Sequence, residues 1–243
     1  MHELGHYVTA HLFRFPEIRV PESLSLGGKP AGAMSWKIGS SGLVGPDGYR
    51  LPSERWGAIG LFRNLDEAQA SLETKESYLP FLPEVVESWH LLLLPVMHRG
   101  ECNHLSRENP GLCLEIAPND PGGQLVVITT AGFVLGPSLD LERVIDFRRK
   151  VDALLGFMRS SDGNLASTVF TPHTAGDDGC TLTVWRSDAA MLSAAYRPAE
   201  HRTQVDRYKK EKTADRTSFT RLRILKTCGQ WNGADPLRQS EQP

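Results

Sequence analysis

Residues 2–6 read His2-Glu3-Leu4-Gly5-His6, an H-E-x-x-H spacing that on a helix sets two imidazoles and a general-base carboxylate around one zinc ion. Such a site needs an ordered helix and a third ligand. The run that follows, HYVTAHLFRF, alternates small or apolar residues with polar ones and is rich in β-branched and aromatic types, the mark of a strand. The motif is therefore expected to lead into a first strand, with zinc binding as the lesser reading. In WKIGSSG a lysine, Lys37, precedes glycine and serines that could cradle an anion with backbone N–H groups, yet the Gly-Lys-Ser/Thr ending of a phosphate loop is absent. His90 and His98, eight residues apart, share a strand face but sit too far apart to chelate one ion. The sequence carries no G-x-S-x-G, no G-x-G-x-x-G after a strand and no cysteine in a locally activating context. Oxidative chemistry without a flavin or nicotinamide fold needs a metal centre, haem or an intrinsically reactive substrate.

Bulk properties narrow the setting. The chain has 243 residues, 40% hydrophobic and 23% charged, with net charge −2, so no basic excess calls for nucleic acid. Its longest apolar stretches, such as residues 91–94, fall far short of the roughly 18 to 20 residues of a membrane span. Cys102, Cys113, Cys180 and Cys228 show no C-x-x-C spacing and read as reduced thiols of a cytoplasmic protein.

The elements that must position any site repeat along the chain. After the first strand, a stretch with Pro16, Pro21, Gly27 and Gly28 is loop-like, and AMSWKIG and ERWGAIGLFR read as strands. Asn64 is placed to cap a helix from about Asp66 to Ser77, with Glu67 positioned for a capping box, and the strand ESWHLLLLPVMHRG follows. The second half runs QLVVITTAGFVL, a helix capped by Ser138 with Leu141, Val144, Ile145, Val151, Leu154, Leu155 and Met158 at helical spacing, then LASTVFTPH, CTLTVWR, a helix capped by Ser187, and TSFTRLRIL. AIGLFRNLDEA echoes TLTVWRSDAAM, aligning Arg63 with Arg186, and HRGECNHL echoes TCGQWNGADPL. Both halves thus read β-(α)-β-β-α-β, the first helix of the first half being eroded to loop. The expected fold is α+β: two ferredoxin-like β-α-β-β-α-β repeats, residues 1–110 and 122–233, packing their bare sheet faces into an intrachain α/β barrel.

The stretches VTAHLFRF, MSWKIGSSG, TLTVWRSDAAMLSAAYRPAEHRTQV and TSFTRLRIL resemble, in order and over most of residues 7–232, the spheroidene monooxygenase family of carotenoid-oxidising enzymes. The family pattern has an fRF first strand, an fWK-x-x-G-S-G segment, a TfS-x-W strand, a helix with an Ay…H element and a final arginine-bearing strand. Its members resemble dimeric α/β-barrel proteins, a superfamily that includes chlorite dismutases, dye-decolourising peroxidases and aldoxime dehydratases. The resemblance implies a haem-dependent oxygenase, with haem b as the cofactor and a hydrophobic small molecule as substrate, and it is compatible with an electron donor and with self-association.

Under that reading His201 is the candidate metal ligand. Beyond Pro198, His201, Val205 and Tyr208 fall at i, i+4 and i+7, one helical face with an imidazole beside apolar and aromatic neighbours. A hydrogen-bonded surface histidine is the plain alternative. Haem propionates want cations, and Arg197 and Arg202 flank His201, while Arg221 and Arg223 share one face of the closing strand. Lys37 matches the family segment and is a candidate pocket residue; His11, mid-strand, is a candidate distal proton donor pointing into the barrel. Trp185 reads as core. The final strand departs from the family, with SFTRLR where an acidic-aromatic EELyaRF is usual. That departure admits a haem-dependent lyase or dehydratase acting on an N–O substrate such as an aldoxime, and the fold also admits a cofactor-free oxygenase or a binding module.

Overall fold

A computed structural model describes residues 5–19, 28–42, 44–45, 51–100, 114–134, 136–137, 139–172, 178–196 and 214–237. Among them lie eight strands, β1 (Tyr7–Arg19), β2 (Ala33–Ser40), β3 (Ser53–Phe62), β4 (Glu87–Gly100), β5 (Leu125–Gly132), β6 (Asn164–Pro172), β7 (Gly179–Trp185) and β8 (Arg216–Gly229), and three α-helices, α1 (Leu65–Glu73), α2 (Leu141–Arg159) and α3 (Asp188–Tyr196). None of these helices is long and apolar enough to cross a membrane. The class is α+β, as the sequence predicts.

Every strand pairs antiparallel with two neighbours, and the order β1-β3-β2-β6-β7-β5-β8-β4 closes on itself. A closed ring leaves no edge with unpaired backbone groups. Within each half the strands stand in the order fourth, first, third, second. Among the described residues β4 and β8 pair from Trp89↔Gly229 to Gly100↔Ser218, and β2 and β6 pair at Gly39↔Pro172 and Ser40↔Thr171.

Alternation along the strands divides the buried side chains between two layers. Val8, Ala10 and Leu12 of β1, Ile59 and Leu61 of β3, Trp89, Leu91 and Leu93 of β4 and their second-half counterparts Val126, Ile128, Leu182, Val184 and Leu222 fill the ring in one cluster. The intervening residues face outward beneath helices and turns. In the first half Tyr7, Phe62 and Leu92 pack with Ala68 and Leu72 of α1. Phe13, Phe15, Trp56 and Ala58 lie under Tyr78, Leu79 and Phe81, which belong to a segment built on two short 3-10 turns, Lys75–Ser77 and Leu82–Glu84. In the second half Leu125, Val127 and Trp185 pack with Met191 and Ala194 of α3.

Local chemistry sets the helix boundaries. Asn64 Oδ1 accepts the Glu67 N–H, as its spacing predicts, and Ser187 Oγ accepts from Ala190 in the corresponding place of the second half. The cap of α2 is a correction: Asp140 accepts the Arg143 N–H, while Ser138 lies outside the described residues. Asp140 precedes Leu141 directly and so reaches the third amide of the helix. The Asp66-to-Ser77 helix is also shorter than expected, the chain tightening into a 3-10 turn after Glu73. The echoed glycines close β4 and β8 alike: Gly100 and Gly229 both have φ +91, and a side chain on either would strike a neighbouring backbone carbonyl, of Thr217 and Ser88 respectively.

Candidate functional site

The shared strand order and matching ends allow one half to be laid on the other. Placing Phe62 on Trp185, as the Arg63–Arg186 echo requires, sets Tyr7↔Phe62 on Leu125↔Trp185 and His11↔Ala58 on Thr129↔Thr181. Pairing with the fourth strands then sets His11↔His90 on Thr129↔Phe219, so that Gly100 falls on Gly229. On the outward faces His11 corresponds to Thr129, Phe13 to Ala131, His90 to Phe219 and Leu92 to Arg221.

These substitutions make the two faces unlike. In the first half the positions are filled: His11 is wholly buried, its ring 5.5 Å from Trp36, 6.1 Å from Tyr78 and 6.3 Å from Phe13. In the second half Thr129 is exposed in mid-strand, with Ala131, Thr181, Phe219 and Arg221 half-buried around it. Arg221 lies over the Phe219 ring at 5.7 Å, and its Nε is buried without a hydrogen-bond partner. A buried donor left unmatched costs about 1–3 kcal/mol, so Arg221 is a cation with one unsatisfied, buried donor on the face that also carries Thr129, Ala131 and Thr181.

The structure distributes the predicted residues unevenly. His201, Arg197 and Arg202 lie outside the described residues, as do His2 and Glu3 of the H-E-x-x-H run. Its last members are described, and they are not helical: Gly5 bends at φ +147, His6 immediately precedes β1, its N–H bonds to the Glu115 carbonyl, and its Nδ1 accepts the Glu115 N–H. Among the described residues no three His, Cys, Asp or Glu side chains are grouped to hold a metal ion.

Arg223 shares the outward face with Arg221, as strand alternation predicts, but its guanidinium is already matched. Nε and Nη2 grip the two oxygens of Asp120 at 2.6 and 2.7 Å, and Nη1 meets Asp188 at 2.8 Å and the Gly123 carbonyl at 3.0 Å. The Asp120 hydrogen bonds raise the Arg223 pKa further. Lys37 pairs with Ile59 and so faces the ring interior, where it lines a narrow crevice with Gly39, Gly57, Phe170, Asp178 and Cys180 at the short β2–β6 seam. Asp178, fully buried, binds Arg216 at 2.8 Å there.

His11 does not point into the ring; it points outward. The misreading has a physical source: β1 is buried on both faces for most of its length, so its sequence offers no polar–apolar phase from which to read direction. There His11 meets a partner that its strand register fixes, His90, with Nδ1 to Nδ1 at 2.9 Å, and His90 Nε2 meets Ser88 Oγ at 3.0 Å. Burial holds both imidazoles neutral, His11 well below its ordinary value and His90 down to about 4. The His11–His90 pair was missed because residues 79 apart meet only through the β1–β4 register.

No protein-family model and no curated protein matches the sequence. The structure is similar to that of an aldoxime dehydratase, 11% identical with a TM-score of 0.55, over 92% of this chain and 83% of that one. A second aldoxime dehydratase, solved with butyraldoxime, is 11% identical with a TM-score of 0.52, over 97% and 86% of the respective chains. A chlorite dismutase variant from Candidatus Nitrospira defluvii matches loosely, with a TM-score of 0.30 at 12% identity over 99% and 97%. At these identities the likeness to the two dehydratases is one of fold, along nearly the whole chain.

Proposed function

We propose that this chain is a haem-dependent enzyme that performs oxygen insertion or a related redox step on a hydrophobic small molecule, with haem b taken up against the outward face of the second half. The observation that carries the reading is the contrast between the halves. Where the first half seals the face with His11, Phe13 and Leu92, the second has Thr129, Ala131 and Arg221, and Arg221 keeps a buried, unmatched Nε. A flat apolar group bearing carboxylates suits such a face. Support also comes from the strand order common to both halves, which fits two ferredoxin-like repeats of residues 1–110 and 122–233 closing an intrachain α/β barrel, and from the resemblance to the spheroidene monooxygenases.

In this reading Arg221 would pair with a propionate and the His201 imidazole would hold the iron. His201 belongs to the connection that leaves α3, over the Leu125 and Trp185 end of the sheet, and re-enters at β8 opposite Gly132. Arg197 and Arg202 flank it and add positive charge for the second propionate. Bound haem would supply an iron that activates dioxygen or a peroxide. The chain's own part is to fix the imidazole, neutralise the carboxylates and exclude water with the α3 side chains. Lys37, at the seam crevice, is proposed as a pocket residue. Arg223 serves the fold by tying Asp120 and Asp188 to β8.

A second reading, a haem-dependent dehydratase acting on an N–O substrate such as an aldoxime, is favoured by the fold match to two aldoxime dehydratases. Titration of the purified protein with haem tests both: a Soret band is expected, and His201→Ala is expected to abolish or shift it with the fold retained. Absence of a Soret band removes both readings and leaves a cofactor-free oxygenase or a binding module. Turnover of an aldoxime under argon by the ferrous protein, with no oxidant, selects the dehydratase; a requirement for oxygen or peroxide selects the redox enzyme.

A further inference from the structure

We propose that the His11–His90 pair is a proton-operated latch, which seats residues 74–85 on the first half of the ring while both imidazoles are neutral and releases that segment when they charge. A direct contact between two ring nitrogens at 2.9 Å holds one hydrogen: one Nδ1 donates and the other accepts. One added proton on His90 keeps this bond, since Nδ1 then donates to His11 and Nε2 to Ser88 Oγ. A second sets two N–H groups against each other and breaks it. His11 has no alternative outlet, because its Nε2 is buried with no hydrogen-bond partner.

The latch bears on one segment. Tyr78, Leu79 and Phe81 pack on Phe13, Phe15 and Trp56, with the Tyr78 ring 6.1 Å from His11 and 5.3 Å from Trp36. The segment's backbone hydrogen bonds are short-range, Ser77 to Thr74, Leu79 to Lys75, Glu84 to Phe81 and Val85 to Leu82. Its side chains add Tyr78 Oη donating to the Ser71 carbonyl of α1 and Glu84 accepting from Arg19 of β1. None of these is a strand-ladder bond, so the segment can leave the ring without breaking a ladder.

The charged and titratable neighbours favour release. From the covering segment, Lys75 faces both histidines and its fixed positive charge opposes their protonation; Glu76 faces His90 and works the other way. Glu76 stays ionised through the relevant range, held below the ordinary carboxylate value by a backbone N–H. Tyr78, pushed up to about 12 by burial, stays neutral, and Cys228 of β8 stands in register with His90. Two residues along β8, Lys226 shares this face and pairs with Glu73 of α1; from β4 Ser88 is uncharged, and from β2 the neighbour is Trp36.

The sign follows from linkage. Both folded-state values lie below the ordinary 6.5, so the seated form binds fewer protons than the released one, and seating weakens as pH falls below 6.5. The released population approaches about a tenfold rise per pH unit for each histidine, about a hundredfold for the pair, levelling for His90 near pH 4.

Native-state hydrogen exchange between pH 7 and 5, corrected for intrinsic rates, tests this on the whole chain. The expected result is that the amides of Tyr78, Leu79, Glu84 and Val85 lose at least tenfold protection while those of α2 and β5 hold theirs. The double variant His11→Thr/His90→Phe places on the first half the residues found at the matching second-half positions, and its segment is expected to exchange with no such pH dependence. Equal loss across all elements, no loss in the segment, or an unchanged pH dependence in the double variant would overturn the latch. Should the double variant not fold, the wild-type comparison of segment against α2 and β5 decides alone.

Discussion

The ring of Phe170 in β6 lies over Gly57 of β3, reaching across β2 to occupy the space that a β-carbon on Gly57 would take. The contact spans the β2–β6 seam, where among the described residues Gly39 pairs with Pro172 and Ser40 with Thr171. Side-chain packing there adds to backbone pairing, and the glycine is the condition for it. Gly57→Ala is expected to destabilise the chain by about 1–3 kcal/mol through overpacking, read as a lowered urea midpoint at unchanged slope. Phe170→Leu in the same background should recover part of the loss, because it removes the ring that the new methyl meets.

Arg223 is expected to act as a structural cation. It is 6% exposed in its side chain, and the Asp120 carboxyl is held below its usual range chiefly by the Arg223 hydrogen bonds, which outweigh burial. Arg223→Met should cost about 2 kcal/mol, a figure kept low because Asp120 and Asp188 are partly solvated. A depressed carboxyl contributes stability above its unfolded value and loses it as pH falls through the folded one. Wild type should therefore lose its advantage over Asp120→Asn progressively as pH falls below the ordinary carboxylate value of about 4, measured as the difference in urea midpoints between neutral and acid pH.

The cap of α2 gives a smaller, separable effect. Asp140 takes the Arg143 N–H at 3.0 Å, and Asp140→Ala is expected to lower stability by about 1 kcal/mol, detectable as a shift in thermal midpoint. Asp140→Asn, which keeps an accepting oxygen, should retain most of it.

Strand positions were legible in the sequence wherever a run was long and bounded by glycine or proline: ESWHLLLLPVMHRG is β4 from end to end. The matching strand ends were legible too: Arg63 and Arg186 directly follow β3 and β7, and Gly100 and Gly229 end β4 and β8 with the same φ of +91. Which face a residue takes was readable on β8, where Arg221 and Arg223 both lie outward, and unreadable on β1, buried on both sides. Carrying the Gly100–Gly229 echo back along the strand would have set Leu92 against Arg221, whereas the match of His11 with Thr129 needs the strand registers; these two contrasts mark the second-half face. What a cation does was beyond the sequence: Arg221 and Arg223 are two residues apart on one face, yet among the described residues Arg223 forms the ion pairs, with Asp120 and Asp188 brought to it by the fold.

Those contrasts supply the sharpest test of the proposed cofactor face. Thr129 is exposed and faces away from the ring core, so Thr129→Phe adds a ring where the first half carries His11, without intruding on the packed interior. The variant should fold with a thermal midpoint within a few degrees of wild type, since substitutions at open surface positions usually change stability by no more than about 0.5 kcal/mol. It should also fail to develop a Soret band on haem titration, or do so at least tenfold more weakly, because the face is then filled. Arg221→Ala should weaken haem uptake by a smaller factor, and Arg221→Lys should restore part of it by supplying charge without the planar fork. Full haem uptake by Thr129→Phe would move the cofactor to another part of the chain, whatever the behaviour of His201→Ala.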